Sequence, residues 1–155
     1  IEEDVYFHLN GMEFEWDRLE DLKKYKIGVI IGHEDEAYYK EQGINYEAVA
    51  TDELNFNRLL ANRIDAYRSP KIKGYTTIKN MYSVKKGGLF AHHPRVIKRN
   101  ESYVLFSKKS SKGKSFSEKF DSGLIKLMKS GKYQEIVNSY IGEVDQSSRY
   151  HFFTP

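Results

Sequence analysis

The chain predicts an α/β fold with a mostly parallel central sheet, and three observations carry that prediction. Lys26–Gly32 (KIGVIIG) is a β-branched run, apolar on both faces, as expected of a strand buried inside a parallel sheet. Strand and helix signals then alternate from Ile27 to Tyr67, a succession that builds a right-handed parallel unit. Finally, 155 residues with 39% hydrophobic and 30% charged side chains suit one ordinary domain or two small lobes. No apolar run approaches the roughly 18 residues that a membrane span needs.

In order along the chain, Val5–Leu9 is a short strand candidate ended by the turn pair Asn10-Gly11. Trp16, Leu19 and Leu22, three apart, predict about one turn of helix. After the strand at 26–32, Glu34–Lys40 reads as a helix. Its first-turn carboxylates Glu34, Asp35 and Glu36 complement the helix dipole, and Gln42-Gly43 stops it. Tyr46–Ala50 is the next strand. Thr51 or Asp52 can cap a helix running to about Ala61, with Asn62 in the left-handed position behind it. Ile64–Tyr67 is a further strand, and Pro70–Met81 a helix with Pro70 in its first turn.

Beyond these, Lys85–Gly88 reads as a loop, and Leu89–Ala91 and Ser102–Phe106 as strands. Ser107–Ser115 is a basic loop. Phe116, Phe120, Leu124, Leu127 and Met128 share one helical stripe ending at Gly131; Tyr133, Ile136, Val137 and Tyr140 form a second, ending at Gly142. Both stripes read as packing faces.

Charge is uneven. Residues 1–83 hold 11 basic and 16 acidic side chains (−5), residues 84–132 hold 13 and 3 (+10), and the remainder is −2. The basic stretch is a solvated lysine-rich face; a nucleic-acid groove would interleave Arg and aromatic residues there. Absence of Cys removes disulfides, thiolate metal sites and Cys nucleophiles together. No Gly-x-Ser-x-Gly elbow and no Gly-x-x-x-x-Gly-Lys loop occurs. His92-His93 are adjacent, a poor chelate, and the acidic runs Glu2-Glu3-Asp4 and Glu34-Asp35-Glu36 read as surface charge. No cofactor, metal or catalytic residue is expected.

In parallel α/β units ligands gather at the carboxyl ends of the strands. That places Gly32-His33-Glu34 and Tyr67-Arg68-Ser69 on the edge that matters. His33, Glu34, Arg68 and Ser69 are therefore the candidate ligand contacts; for His33 an exposed junction residue without a role stays open.

Four segments taken in order, DLKKYKIGVIIG (Asp21–Gly32), NRIDAY (Asn62–Tyr67), SYVLFSK (Ser102–Lys108) and FDSGLIKLMKSGKYQEIVNSYIG (Phe120–Gly142), resemble the bacterial extracellular solute-binding protein family 3. These are the type II clamshell receptors of polar amino acid ABC importers. The resemblance implies a periplasmic-binding-protein-like II fold in which residues 1–10 form a hinge strand and 11–101 the second α/β lobe. Residues 102–155 then supply the return hinge strand and C-terminal helices of lobe one. Ile1–Tyr6 reads like the middle of a polypeptide, as if the first part of lobe one were missing.

Functionally, the resemblance implies a periplasmic protein, exported behind a signal peptide, that captures a small polar ligand such as an amino acid by clamshell closure. Its partner would be an ABC transporter permease. Tyr6 and His8 would neighbour the hinge, and a bare lobe-one face could support self-association. The family's ammonium-binding Asp falls at Pro70, so no carboxylate stands there unless Glu34 supplies one. A sensory receptor module and an enzyme of dehydratase or lytic transglycosylase type share the scaffold and remain alternatives.

Overall fold

A computed structural model describes residues 2–101 and 103–141, with no side-chain detail for Tyr140 and Ile141. The chain divides into two compact units, Ile1–Asn100 and Glu101–Pro155.

The first unit is a six-stranded sheet: β1 (Glu2–Leu9), β2 (Ile27–Ile30), β3 (Tyr46–Val49), β4 (Ala66–Pro70), β5 (Phe90–His92) and β6 (Lys98–Asn100). Strand order is β3-β2-β4-β1-β5, and β6 also pairs with β1. β2 runs parallel to β3 and to β4, whereas β1 is antiparallel to β4, β5 and β6. Five strands therefore point one way and β1 alone runs against them, so the expected mostly parallel α/β sheet is what forms. The helices are α1 (Glu34–Gln42), α2 (Asp52–Leu60), α3 (Lys71–Met81) and the short α4 (Val84–Gly87), preceded by a 3₁₀ helix at Leu19–Lys24.

Alternation along β1 divides the core in two. Val5 and Phe7 pack with Phe56 and Leu59 of α2, Ile78 of α3, Ile64, Tyr67 and Phe90. Tyr6 packs on the other side with Phe14, Leu22, Ile27, Val29, Ala66 and Tyr39 of α1. Phe7 is the keystone of the first cluster: fully buried, it meets Phe56 and Tyr75 edge-on with ring centroids 5.4 and 5.1 Å apart. α3 comes this close because residue 74 is Gly; a Cβ there would lie 2.4 Å from the Phe7 ring.

Caps fall where the residue types allow them. Oγ1 of Thr51 accepts the Leu54 N–H at 3.3 Å, Gly43 closes α1 in the left-handed region, and Asn62 follows α2 at φ +52°.

Several boundaries differ from expectation. The helical turn predicted around Trp16–Leu22 is the 3₁₀ segment at Leu19–Lys24, and the loop predicted at Lys85–Gly88 is mostly taken up by α4. The strand predicted at Ile64–Tyr67 runs from Ala66 to Pro70, because pairing with β1 (Tyr6 to Arg68, Val5 to Ser69, Asp4 to Pro70) extends it. Pro70 consequently precedes α3 as its N-cap. β6 was not expected from the sequence at all; its Lys98-Arg99 lie opposite Asp4 and Glu3, and Arg99 Nε bonds Glu3 Oε1 at 3.0 Å.

The second unit, by itself, contains α5 (Gly113–Lys129) and α6 (Lys132–Ile141). The strand predicted at Ser102–Phe106 is absent over its described residues 103–106. A strand needs a neighbouring ladder for its N–H and C=O groups, and no strand occurs among the described residues of this unit. Tyr103, Val104 and Leu105 stand exposed there. The α5 stripe is only partly covered: Leu124, Leu127 and Met128 are half-buried, but Phe116 and Phe120 are exposed. A helix hairpin offers each apolar face a single partner and cannot bury it completely. The expected stop at Gly142 lies outside the described residues.

Candidate functional site

The carboxyl ends of β2 and β4 open onto one cavity of about 300 Å³ inside the first unit. β2 delivers the chain to Gly32, whose φ of +75° makes the turn into α1, and His33 follows as the extended N-cap. The turn is tied by Gly32 N–H to Glu36 Oε2 at 2.7 Å and by His33 N–H to the Ile30 carbonyl at 3.0 Å. His33 and Glu34 therefore stand at the rim, exposed, while Asp35 on the first turn of α1 reaches inward. β4 supplies Arg68 and the buried Ser69, β1 supplies Asp4, β6 supplies Lys98 and Asn100, and the starts of α2 and α3 supply Asp52 and Lys73.

Charge in this wall is arranged in two sets. Arg68 lies between two carboxylates: its Nη2 donates to Asp4 Oδ2 at 2.8 Å and its Nη1 to Asp35 Oδ1. The other Asp4 oxygen accepts from Asn100 Nδ2 at 3.1 Å. In the second set, Asp52 accepts from the Tyr67 hydroxyl at 2.7 Å on one oxygen and pairs with Lys73 Nζ at 2.8 Å on the other.

Burial pushes the Asp35 carboxyl above its ordinary value, and Arg68 only partly opposes that. Burial also works against Arg68, but the bond to Asp4 and the charge of Asp35 outweigh it and hold the guanidinium more firmly protonated. For Asp52, burial is outweighed by the bonds from Lys73 and Tyr67, so the carboxyl sits below its ordinary value. Burial, and then the Asp52 bond, push the Tyr67 phenol up.

Of the residues picked from the sequence, His33, Glu34, Arg68 and Ser69 all line this cavity. Tyr6 and His8 do not. Tyr6 pairs with Arg68 across the sheet but turns its hydroxyl to Tyr39 at 2.6 Å, and burial pushes its phenol up to about 12. His8 stacks on Phe14 and contacts the Leu9 carbonyl at 3.1 Å. Sequence reasoning missed Asp4, Asp35, Asp52, Lys73, Lys98 and Asn100. Asp4 and Asp35 sit in acidic runs that resemble surface charge, and the signal that could have found them, the basic Arg68, lies on β4, far off in sequence but paired with β1 in the sheet.

Among the described residues no group of three or more His, Asp or Glu is placed to hold a metal ion. His92 and His93 diverge, the first to Tyr75 at 2.7 Å, the second towards Glu15 at 3.5 Å. Chemically the cavity offers hydrogen-bond donors, acceptors and fixed charges, the equipment for holding a small polar molecule.

No family model matches the sequence, and no curated protein matches it. Solved structures do. One, described as the second substrate binding domain of an amino acid ABC transporter from Streptococcus pneumoniae, superimposes with a TM-score of 0.69 at 17% identity, over 91% of this chain and 61% of its own. The substrate binding domain 2 of GlnP from Lactococcus lactis, in its open conformation, gives 0.64 at 19% over 93% and 60%. The GluR0 ligand-binding core from Nostoc punctiforme, complexed with L-glutamate, gives 0.55 at 18% over 90% and 60%. At such identities the likeness speaks for the fold, which is that of type II periplasmic-binding-protein domains. The chain spans about 60% of the length of these structures.

Proposed function

We propose that this chain is the second lobe, with C-terminal helices of the first, of an extracytoplasmic solute-binding protein of family 3. In this reading β1 is the outbound hinge strand, residues 11–101 form the second lobe, and 102–155 return to lobe one. A small polar solute settles in the cavity at the carboxyl ends of β2 and β4, and closure of the first lobe over it is favoured by the contacts the ligand adds to the closed state. The bound form is then recognised by an ABC transporter permease, and the protein works in the periplasm. The exposed apolar face of α5 is covered by the rest of lobe one; without that segment, the same face would pair with a second copy.

The observation that carries the reading is the convergence of the β2–α1 junction, β4 and the hinge-side residue Asp4 on one polar cavity. The neighbours in fold support binding rather than turnover, since those described are substrate- or ligand-binding domains. A second reading, the ligand-sensing module of a membrane receptor, has the glutamate-bound GluR0 core in its favour.

A thermal-shift screen of the full-length protein against amino acids, polyamines, small organic acids and sugars tests the proposal. A ligand present at a thousandfold excess over its Kd adds about 4 kcal/mol of apparent stability. One class should raise Tm by several degrees without being consumed. Turnover of that compound would move the protein to the enzyme alternative, and no shift from any class would end the receptor reading.

A further inference from the structure

We propose that Arg68 is the specificity-determining residue of the cavity: its guanidinium occupies the acidic subsite made by Asp4 and Asp35 and so closes that subsite to guanidinium and ammonium ligands. The inference rests on the reading of the cavity as a ligand site.

The geometry supports it atom by atom. Two carboxylates from different elements, β1 and α1, converge in the cavity wall, which is how a protein builds a cation subsite. That subsite already holds a cation from the chain. Arg68 bonds one oxygen of each carboxylate, and Asn100 takes the second oxygen of Asp4. Three of the four carboxylate oxygens thus already accept a bond from the chain, and an incoming ammonium would have to share them with the fixed Arg68 charge. The two sets of wall charges are not alike. Lys73, paired with Asp52, has a side chain 53% exposed and can swing into solvent, whereas Arg68 is 17% exposed and held at both ends. A cationic ligand could displace Lys73 but would have to evict Arg68 from two partners at once.

With Arg68 reduced to alanine, the carboxylates of Asp4 and Asp35 face an empty space of guanidinium shape. The full-length wild type is compared with Arg68→Ala, Arg68→Gln, Arg68→Lys and the double variant Arg68→Ala/Asp35→Asn. Each is titrated calorimetrically with agmatine, with guanidinium chloride against sodium chloride of equal ionic strength, and with the wild type's best ligand from the solute screen. Arg68→Ala should bind agmatine and guanidinium at least tenfold more tightly than wild type. The double variant should lose that gain, and Arg68→Lys should retain the exclusion. An arginine of merely structural value would lower Tm in every variant but leave the ratio of cationic to other ligand affinities unchanged.

Equal agmatine affinity in wild type and Arg68→Ala overturns the proposal. Should the alanine variant fail to fold, the uncharged, shorter glutamine variant is read in the same way. If wild type binds nothing in the screen, the receptor reading fails. If it binds a solute and no variant gains cation affinity, only the present inference fails.

Discussion

At the scale of single residues, burial decides more than charge count. Arg68 and its two carboxylates are partly buried, and removing one member of a buried ion pair costs about 3–5 kcal/mol because its partners stay charged. Replacing Asp4 by Asn should therefore lower stability by an amount near that range in urea unfolding, whereas Glu3→Gln, whose partner Arg99 is largely exposed, should change it by less than about 1 kcal/mol. His8 gives a pH signature. Burial pushes its imidazole below the ordinary value, against the bond to the Leu9 carbonyl, in the company of His93 and Glu15. The unfolded chain binds the proton more readily, so stability present above about pH 6.5 falls as pH drops from there towards the folded-state value. In His8→Gln the Tm difference between pH 7.5 and 5.5 should shrink; an unchanged difference would move the acid sensitivity elsewhere.

At the scale of elements, close approach and capping set the positions of the helices. Gly74→Ala puts a methyl group against the Phe7 ring, which is hemmed in by Phe56 and Tyr75. Overpacking of this kind costs about 1–3 kcal/mol, only part of which the better helix propensity of Ala returns. Thr51→Ala removes the α2 cap, at about 1 kcal/mol in chemical denaturation. Because α2 starts with Asp52 in the cavity wall, ligand affinity should weaken alongside. These elements also show what was legible beforehand. KIGVIIG, the Thr51 cap, Gly43 and Asn62 are local signals, and the parallel unit they predict is present with no boundary off by more than three residues. The strand β6 and the extension of β4 to Pro70 come from pairing with β1, a long-range event that no local period encodes. The same cause hid three of the wall residues, since Asp4, Lys98 and Asn100 come together only through that pairing.

At the scale of the whole molecule, the sheet brings residues far apart in sequence to one edge, and the proposed function depends on that edge being where a solute binds. The most direct measurement is a ¹⁵N–¹H correlation spectrum of the full-length protein, titrated with the strongest ligand from the solute screen. We expect the largest amide shifts at 30–35, 67–69 and 98–100, with Val84–Leu89 and the β3 edge unmoved. Saturable shifts centred on that second group, with 30–35 and 67–69 silent, would contradict the account.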